Sequence, residues 1–272
     1  GTIIAPFWHP IKLAGESAMT DLITSGRLDL GIARGAYSFE YERLMPGMDA
    51  WEAGQRLREM IPAIRELWKG DYSHEGEFYS FPKSTSTPKP LQQNGPPIWV
   101  AARDPNSHEF AINNSCNVQV TPLWQDYNEV QDLIMKFNSA KKRYNPQSQS
   151  KIMLLQHTYV SDEKNELDEA AKKFSEFYAH FGAWFQNQRP VNQASIKKLS
   201  SKELSLLDMY APEKMKKNLL FGTIDEVTSR LKDYEKLGYD EFSYWIDSGM
   251  SYDEKVSSLN NFIQRVMPAF KS

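Results

Sequence analysis

Two short stretches of this chain combine a fixed positive charge with backbone that can approach a ligand closely. Arg34-Gly35 closes the apolar run Leu28 to Ala33, and a guanidinium beside a residue without a Cβ suits an anion such as a phosphate. The competing reading is an arginine paired with a neighbouring carboxylate. Arg103-Asp104-Pro105-Asn106-Ser107 follows the apolar run Ile98 to Ala102. A helix is due there, because Asp104 or Asn106 can cap it and Pro105 suits its first turn. The N–H groups and dipole of a helix start favour an anion, and Ser107 and Arg103 add donors; plain capping is the alternative. Two cationic strand ends together favour a phosphorylated ligand.

Other strand ends carry further candidates. His9 follows Phe7 and Trp8 and is either a proton donor or substrate contact, or simply the residue that starts a helix with Pro10. Trp124, closing Thr121-Pro122-Leu123-Trp124, can cover a planar ring or serve as core or lid. His157 lies inside the run Ile152 to Val160, where a hydrogen-bonded core histidine is the default. Trp245 and Asp247 either line a pocket mouth or close the sheet. Cys116 is the only cysteine, and no Cys, His and carboxylate grouping has metal-ligand spacing, so no metal is expected. Neither a GxSxG elbow nor a P-loop is present, which removes the usual support for a hydrolase or kinase. A cofactor that brings its own reactivity fits better.

The elements that must position these residues alternate as strand and helix. Apolar runs at Ile3 to Ala5, Leu28 to Ala33, Ile98 to Ala102, Asn117 to Leu123, Ile152 to Val160 and Glu241 to Ile246 read as strands. Between them, helical periodicity covers Ile11 to Leu22, Ala50 to Lys69, Asn128 to Arg143, Glu163 to Phe181, Ile224 to Leu237 and Asp253 to Val266. Pro62 should bend the second of these or divide it in two. Tyr72 to Phe81 alternates around Glu75-Gly76 as a hairpin does. From about 185 to 220 the pattern lapses into a polar segment with one helix, Ser201 to Tyr210, which reads as a lid or a peripheral insertion. Six strands separated by helices mean parallel βαβ units in a single α/β domain spanning 1–272, either an open doubly wound sheet or a barrel. The missing glycine fingerprint after the first strand weakens the dinucleotide-binding version. In either case chemistry belongs at the carboxyl ends of the strands.

Bulk composition is consistent with that picture. The 272 residues carry 32 Lys+Arg against 35 Asp+Glu, a formal net charge of −3. Such a balance offers no general basic field for nucleic acid and points to a small-molecule partner. No run approaches the ~20 apolar residues of a membrane span. A cytoplasmic protein with no membrane partner is expected.

The segment Ser25-Gly26-Arg27-Leu28-Asp29-Leu30-Gly31-Ile32-Ala33-Arg34-Gly35, preceded by His9-Pro10 and a helix, resembles the bacterial luciferase-like flavin monooxygenases. Gly76-Glu77-Phe78-Tyr79 leading to Pro96-Pro97-Ile98-Trp99-Val100-Ala101-Ala102 is similar to them too, as are Phe221-Gly222-Thr223-Ile224-Asp225-Glu226-Val227 and Val266-Met267-Pro268-Ala269-Phe270. The resemblance keeps its order along the whole chain. It implies a (β/α)8 TIM barrel that takes reduced FMN from a separate flavin reductase and oxygenates an organic substrate with O2 through a flavin peroxide. It also implies that Arg34 and Gly35 contact the flavin, that Ser107 with the Arg103 and Asp104 backbone forms the phosphate-holding loop, and that Trp124 lies near the cofactor. The Arg103 side chain departs from luciferase itself, where an acidic residue stands.

On the same model Phe7, Trp8, Tyr37 and Trp245 give the substrate pocket an aromatic character suited to a small hydrophobic aldehyde, ketone or similar compound. His9 is the catalytic candidate, since the family's catalytic histidine segment has no counterpart here. The opening Gly1-Thr2 strand resembles the third strand of the barrel. The six strands would then be the third to the eighth, and the first two βα units are expected from a longer protein or from another chain, because a gapped barrel exposes sheet edges. Homodimerisation is implied. Some relatives use a deazaflavin for hydride transfer instead, and others are non-catalytic partner subunits.

Overall fold

In a computed structural model, residues 2–186 and 189–270 are described; Gly1 of the expected opening strand lies outside them. The chain falls into two compact units, Gly1–Gln119 with Lys136–Lys151, and Val120–Met135 with Ile152–Ser272.

The first unit runs β1 (Thr2–Ile4), α1 (Pro10–Ile23), β2 (Leu30–Ala33), α2 (Ser38–Leu44), α3 (Ala50–Lys69), β3 (Tyr72–Glu75), β4 (Ser80–Ser84), β5 (Ile98–Ala101), α4 (Pro105–Asn113) and β6 (Asn117–Val120). Helix α5 (Tyr127–Tyr144) contributes to both units. Strands β1, β2, β5 and β6 are parallel neighbours in that order, with Ile4 opposite Ala33, Ile32 opposite Val100 and Ala101 opposite Gln119. Ile98, Trp99 and Val100 are all buried, as befits a parallel strand covered on both faces. The register sets the carboxyl ends of three adjacent strands side by side.

Helix α3 starts where the Asp49 side chain accepts the Glu52 amide at 2.8 Å and stops at Gly70. Of the bend or division expected at Pro62, division is absent: the helix is continuous across it. Losing one backbone bond there costs roughly 3 kcal/mol. Met60, Ile61 and Ile64 are fully buried on the same stretch, and each contributes about 1.5–3 kcal/mol, which outweighs the loss. The Tyr72 to Phe81 hairpin is present as antiparallel β3 and β4. Glu59 of α3 ties it down by accepting the Phe78 and Tyr79 amides at 3.0 and 2.9 Å and meeting His74 Nε2 at 2.9 Å. The loop after β4 is pinned by Asp21, whose carboxylate accepts the Gln92 amide and side chain at 2.9 and 2.8 Å. Helix α2 had no signal in the sequence, because it falls in an aromatic stretch without clear periodicity.

The second unit continues through β7 (Ile152–Val160), α6 (Lys164–Phe185), a small hairpin of β8 (Val191–Asn192) and β9 (Ser195–Ile196), α7 (Ser201–Ser205), α8 (Pro212–Asn218), β10 (Leu220–Gly222), α9 (Ile224–Leu237), β11 (Glu241–Trp245) and α10 (Tyr252–Asn261). Strand β11 runs parallel along Met153 to His157 of β7, and β10 along Thr158 to Val160. Strand β10 raises the six expected parallel strands to seven among the described residues. Its three residues are too few for a periodic signal, and it emerges straight from the polar lapse. The expected helix Ser201 to Tyr210 is shorter: α7 ends at Ser205, and a 3-10 turn, Asp208–Tyr210, follows. The core packs Phe174 and Tyr178 of α6 against Tyr159, Tyr210, Met215, Leu219, Phe221 and Met250.

Candidate functional site

Nine of the eleven predicted site residues follow the carboxyl ends of β1, β2 and β5 in the first unit. Because Ile32 lies opposite Val100, continuing the register brings Arg34 level with Ala102, next to Arg103. The Arg34 guanidinium is exposed and donates from Nη1 to the Ala50 carbonyl at 2.9 Å, so its partner here is backbone. Its own carbonyl accepts the Tyr41 hydroxyl at 3.1 Å. Gly35 has φ +94°, and a Cβ there would stand 3.0 Å from both Ile4 Cγ2 and Tyr41 Cε1. Only glycine satisfies both the left-handed backbone and the close approach. Tyr37 stacks on Phe39 at 5.3 Å, and burial, with the charge of Glu40, pushes its hydroxyl above the usual tyrosine range.

At the end of β5, Asp104 caps α4. Its carboxylate accepts the Ser107 amide at 3.0 Å and the Ser107 hydroxyl at 2.6 Å, while Pro105 takes the first helical position. Burial raises this carboxyl, but the Ser107 hydroxyl and amide outweigh it and hold the group below the usual aspartate range. Both Ser107 donors therefore already serve an anion belonging to the chain. A ligand phosphate at this helix start must share them with Asp104.

His9 caps α1 as Asp104 caps α4: Nδ1 accepts the Ile11 amide at 3.3 Å, which leaves the proton on Nε2. The ring lies edge-on to Tyr79 at 6.0 Å and tilted over Phe81 at 5.5 Å, so the hairpin anchored by Glu59 sets its orientation. Phe7 packs edge-on to Tyr41 at 6.2 Å, and the Lys12 ammonium stands 5.1 Å over the Trp8 ring.

Trp124 and Trp245, the other two predicted residues, belong to one aromatic cluster in the second unit. Trp124 meets Tyr178 edge-on at 5.9 Å and Tyr210 at 5.2 Å. The Tyr178 hydroxyl lies 2.5 Å from His157 Nδ1, and the His157 ring is stacked on Trp245 at 3.9 Å and 15°. Tyr178 was not singled out in the sequence, although Phe174, Tyr178 and Phe181 recur at helical spacing on α6. Aromatics at that spacing read as ordinary core, and pairing with a strand histidine leaves no mark in the local pattern.

The donor chemistry fits a phosphorylated flavin. Arg34 and Arg103 carry fixed charge for a dianion, and the helix start of α4 adds backbone donors. Among the described residues no group of three or more metal-ligating side chains exists. No described helix is long and apolar enough to cross a membrane.

The family described as luciferase-like monooxygenase matches residues 1–241. The oxygenase component of flavin-dependent trigonelline monooxygenase from Acinetobacter baylyi is 62% identical over 270 residues, covering 99% of this chain and 75% of that protein. Among solved structures, monooxygenase RslO1 from Streptomyces bottropensis superposes with a TM-score of 0.77 at 26% identity, covering all of this chain and 77% of that one. The oxygenating constituent of 3,6-diketocamphane monooxygenase from Pseudomonas putida, solved with FMN, gives 0.72 at 17% identity over 98% of this chain and 78% of its own, a likeness of fold.

Proposed function

Because this chain belongs to the luciferase-like monooxygenase family and is a flavin-dependent monooxygenase of its α/β barrel type, we propose that it is an oxygenase component that accepts reduced FMN from a separate reductase. The observation that carries this reading is the 62% identity, over 99% of the chain, to a protein named as such a component. The paired arginines at neighbouring strand ends support it.

In this reading Arg34, Arg103 and Ser107 hold the phosphate, with Gly35 admitting the ligand close to the backbone. Reduced FMN, when bound, supplies two electrons for the reaction of O2, one oxygen atom passing to substrate and the other leaving as water. The protein's own work is to bind, orient and keep water out. Trp245 is the aromatic wall proposed for the substrate, and in the first unit His9 presents Nε2–H as a hydrogen-bond donor.

The substrate we infer is trigonelline or a similar planar N-methylpyridinium carboxylate. Flat aromatic faces attract such a cationic ring by roughly 0.5–2 kcal/mol each. Apolar aldehydes and ketones form the alternative class. The test is oxygen consumption by the full-length protein with enzymatically supplied FMNH2, trigonelline and an aldehyde and ketone panel, with 18O2 label followed into product. Label in a trigonelline product supports the reading; flavin oxidation without labelled product from any compound removes it. Turnover with a reduced deazaflavin in place of FMNH2 would transfer the site to hydride chemistry.

A further inference from the structure

His157 is fully buried in β7, yet it makes more directed contacts than packing requires. Nε2 lies 2.5 Å from the Asp247 carbonyl and Nδ1 lies 2.5 Å from the Tyr178 hydroxyl. A carbonyl can only accept, so Nε2 carries the hydrogen. In the neutral ring Nδ1 is then the acceptor and Tyr178 the donor. Phe174 and Phe177 meet the ring edge-on at 5.4 and 5.2 Å, filling its flanks. Burial among these groups pushes the imidazole down to about 3, which keeps it neutral. With both nitrogens fixed, the ring plane is fixed, and Trp245 lies parallel against it at 3.9 Å. The strand register pairs Trp245 with His157 directly, so backbone and side chains agree on the stack. The indole itself is only partly buried.

We propose that His157 is a positioning residue for substrate selection: locked between Tyr178 and the Asp247 carbonyl, it sets the plane of the Trp245 indole against which the substrate's aromatic ring lies. A histidine does this where phenylalanine would not, because an unanchored ring of the same size can turn in its socket. The inference rests on the reading that Trp245 lines the substrate pocket.

The test is a double-mutant cycle in the full-length protein with trigonelline as probe. His157→Leu should raise KM about tenfold or more while the affinity for reduced FMN stays within about twofold. His157→Gln, whose amide can donate to one partner and accept from the other, should recover most of the loss. Adding His157→Leu to Trp245→Leu should cost nothing further. Additive effects, or an unchanged KM in His157→Leu, would overturn the positioning role and leave the pocket assignment standing. An unchanged KM in Trp245→Leu would remove the pocket assignment and this inference with it. Should His157→Leu not fold, 15N spectra of the wild-type imidazole decide the matter. They should show Nε2–H throughout about pH 5 to 9 and a shift on saturation with trigonelline; titration in that range, or no shift, would overturn the proposal.

Discussion

Asp104 accepts both hydrogen-bond donors of Ser107, the amide at 3.0 Å and the hydroxyl at 2.6 Å. The start of α4 is thus an anion site that already contains an anion. A flavin phosphate brought to these donors meets the Asp104 charge. Asp104→Asn keeps a capping oxygen and removes that charge, and should tighten binding of reduced FMN about threefold to tenfold, more at low salt. Ser107→Ala should weaken it. Anaerobic fluorescence titration of the full-length variants at two ionic strengths measures both, and weaker binding by Asp104→Asn would show that the carboxylate assists the site.

Gly35→Ala places a Cβ 3.0 Å from Ile4 Cγ2 and Tyr41 Cε1 on a backbone with φ +94°. The expected cost is about 1–3 kcal/mol, read as a lower thermal midpoint. Because Arg34 precedes it directly, affinity for reduced FMN should fall as well. A variant as stable as wild type would mean that β1 and Tyr41 yield easily.

Removing the Trp245 side chain opens the proposed substrate wall to water. Trp245→Ala should raise the ratio of H2O2 released to substrate oxygenated about severalfold, with O2 consumption itself persisting. A peroxide assay run beside oxygen uptake checks this, and unchanged coupling would place Trp245 away from the reacting atoms.

Stability in acid should depend on Glu254. Burial pushes its carboxyl up, but the Lys173 ammonium at 2.5 and 2.7 Å and the Ser251 hydroxyl and amide outweigh it and bring the group down to about 2. A depressed folded pKa stabilises above the unfolded value and is lost as pH falls through the folded one. With the pair partly exposed and screened, about 1–2 kcal/mol is expected at neutral pH. Glu254→Gln should therefore lower the melting temperature near pH 7 by about 2–6 °C. The gap should narrow below about pH 4.5 and close near pH 2. An equal deficit at all pH values would assign the effect to packing.

Strand-helix alternation and the residues at strand ends were legible in the sequence because each depends on short-range signals: apolar runs, capping residues, and Arg-Gly or Asp-Pro at a boundary. Pro62 does not divide α3 because the burial of its neighbours, which the local sequence does not show, offsets the local penalty. Strand β10 was invisible because three residues carry no period. The choice between ligand donor and cap at Ser107 turns on where the Asp104 carboxylate points. His157 is the hydrogen-bonded core histidine that its place in the strand suggested; its partners were not legible, because Tyr178 lies on a separate helix and the other is the backbone carbonyl of Asp247.

Anaerobic titration of reduced FMN into full-length wild type and Arg34→Ala bears most directly on the phosphate grip proposed for the strand ends. Saturable binding by wild type, weakened about tenfold or more in Arg34→Ala with an unchanged melting temperature, is the predicted result. Equal affinity in the two proteins, or no measurable binding by wild type, would contradict it.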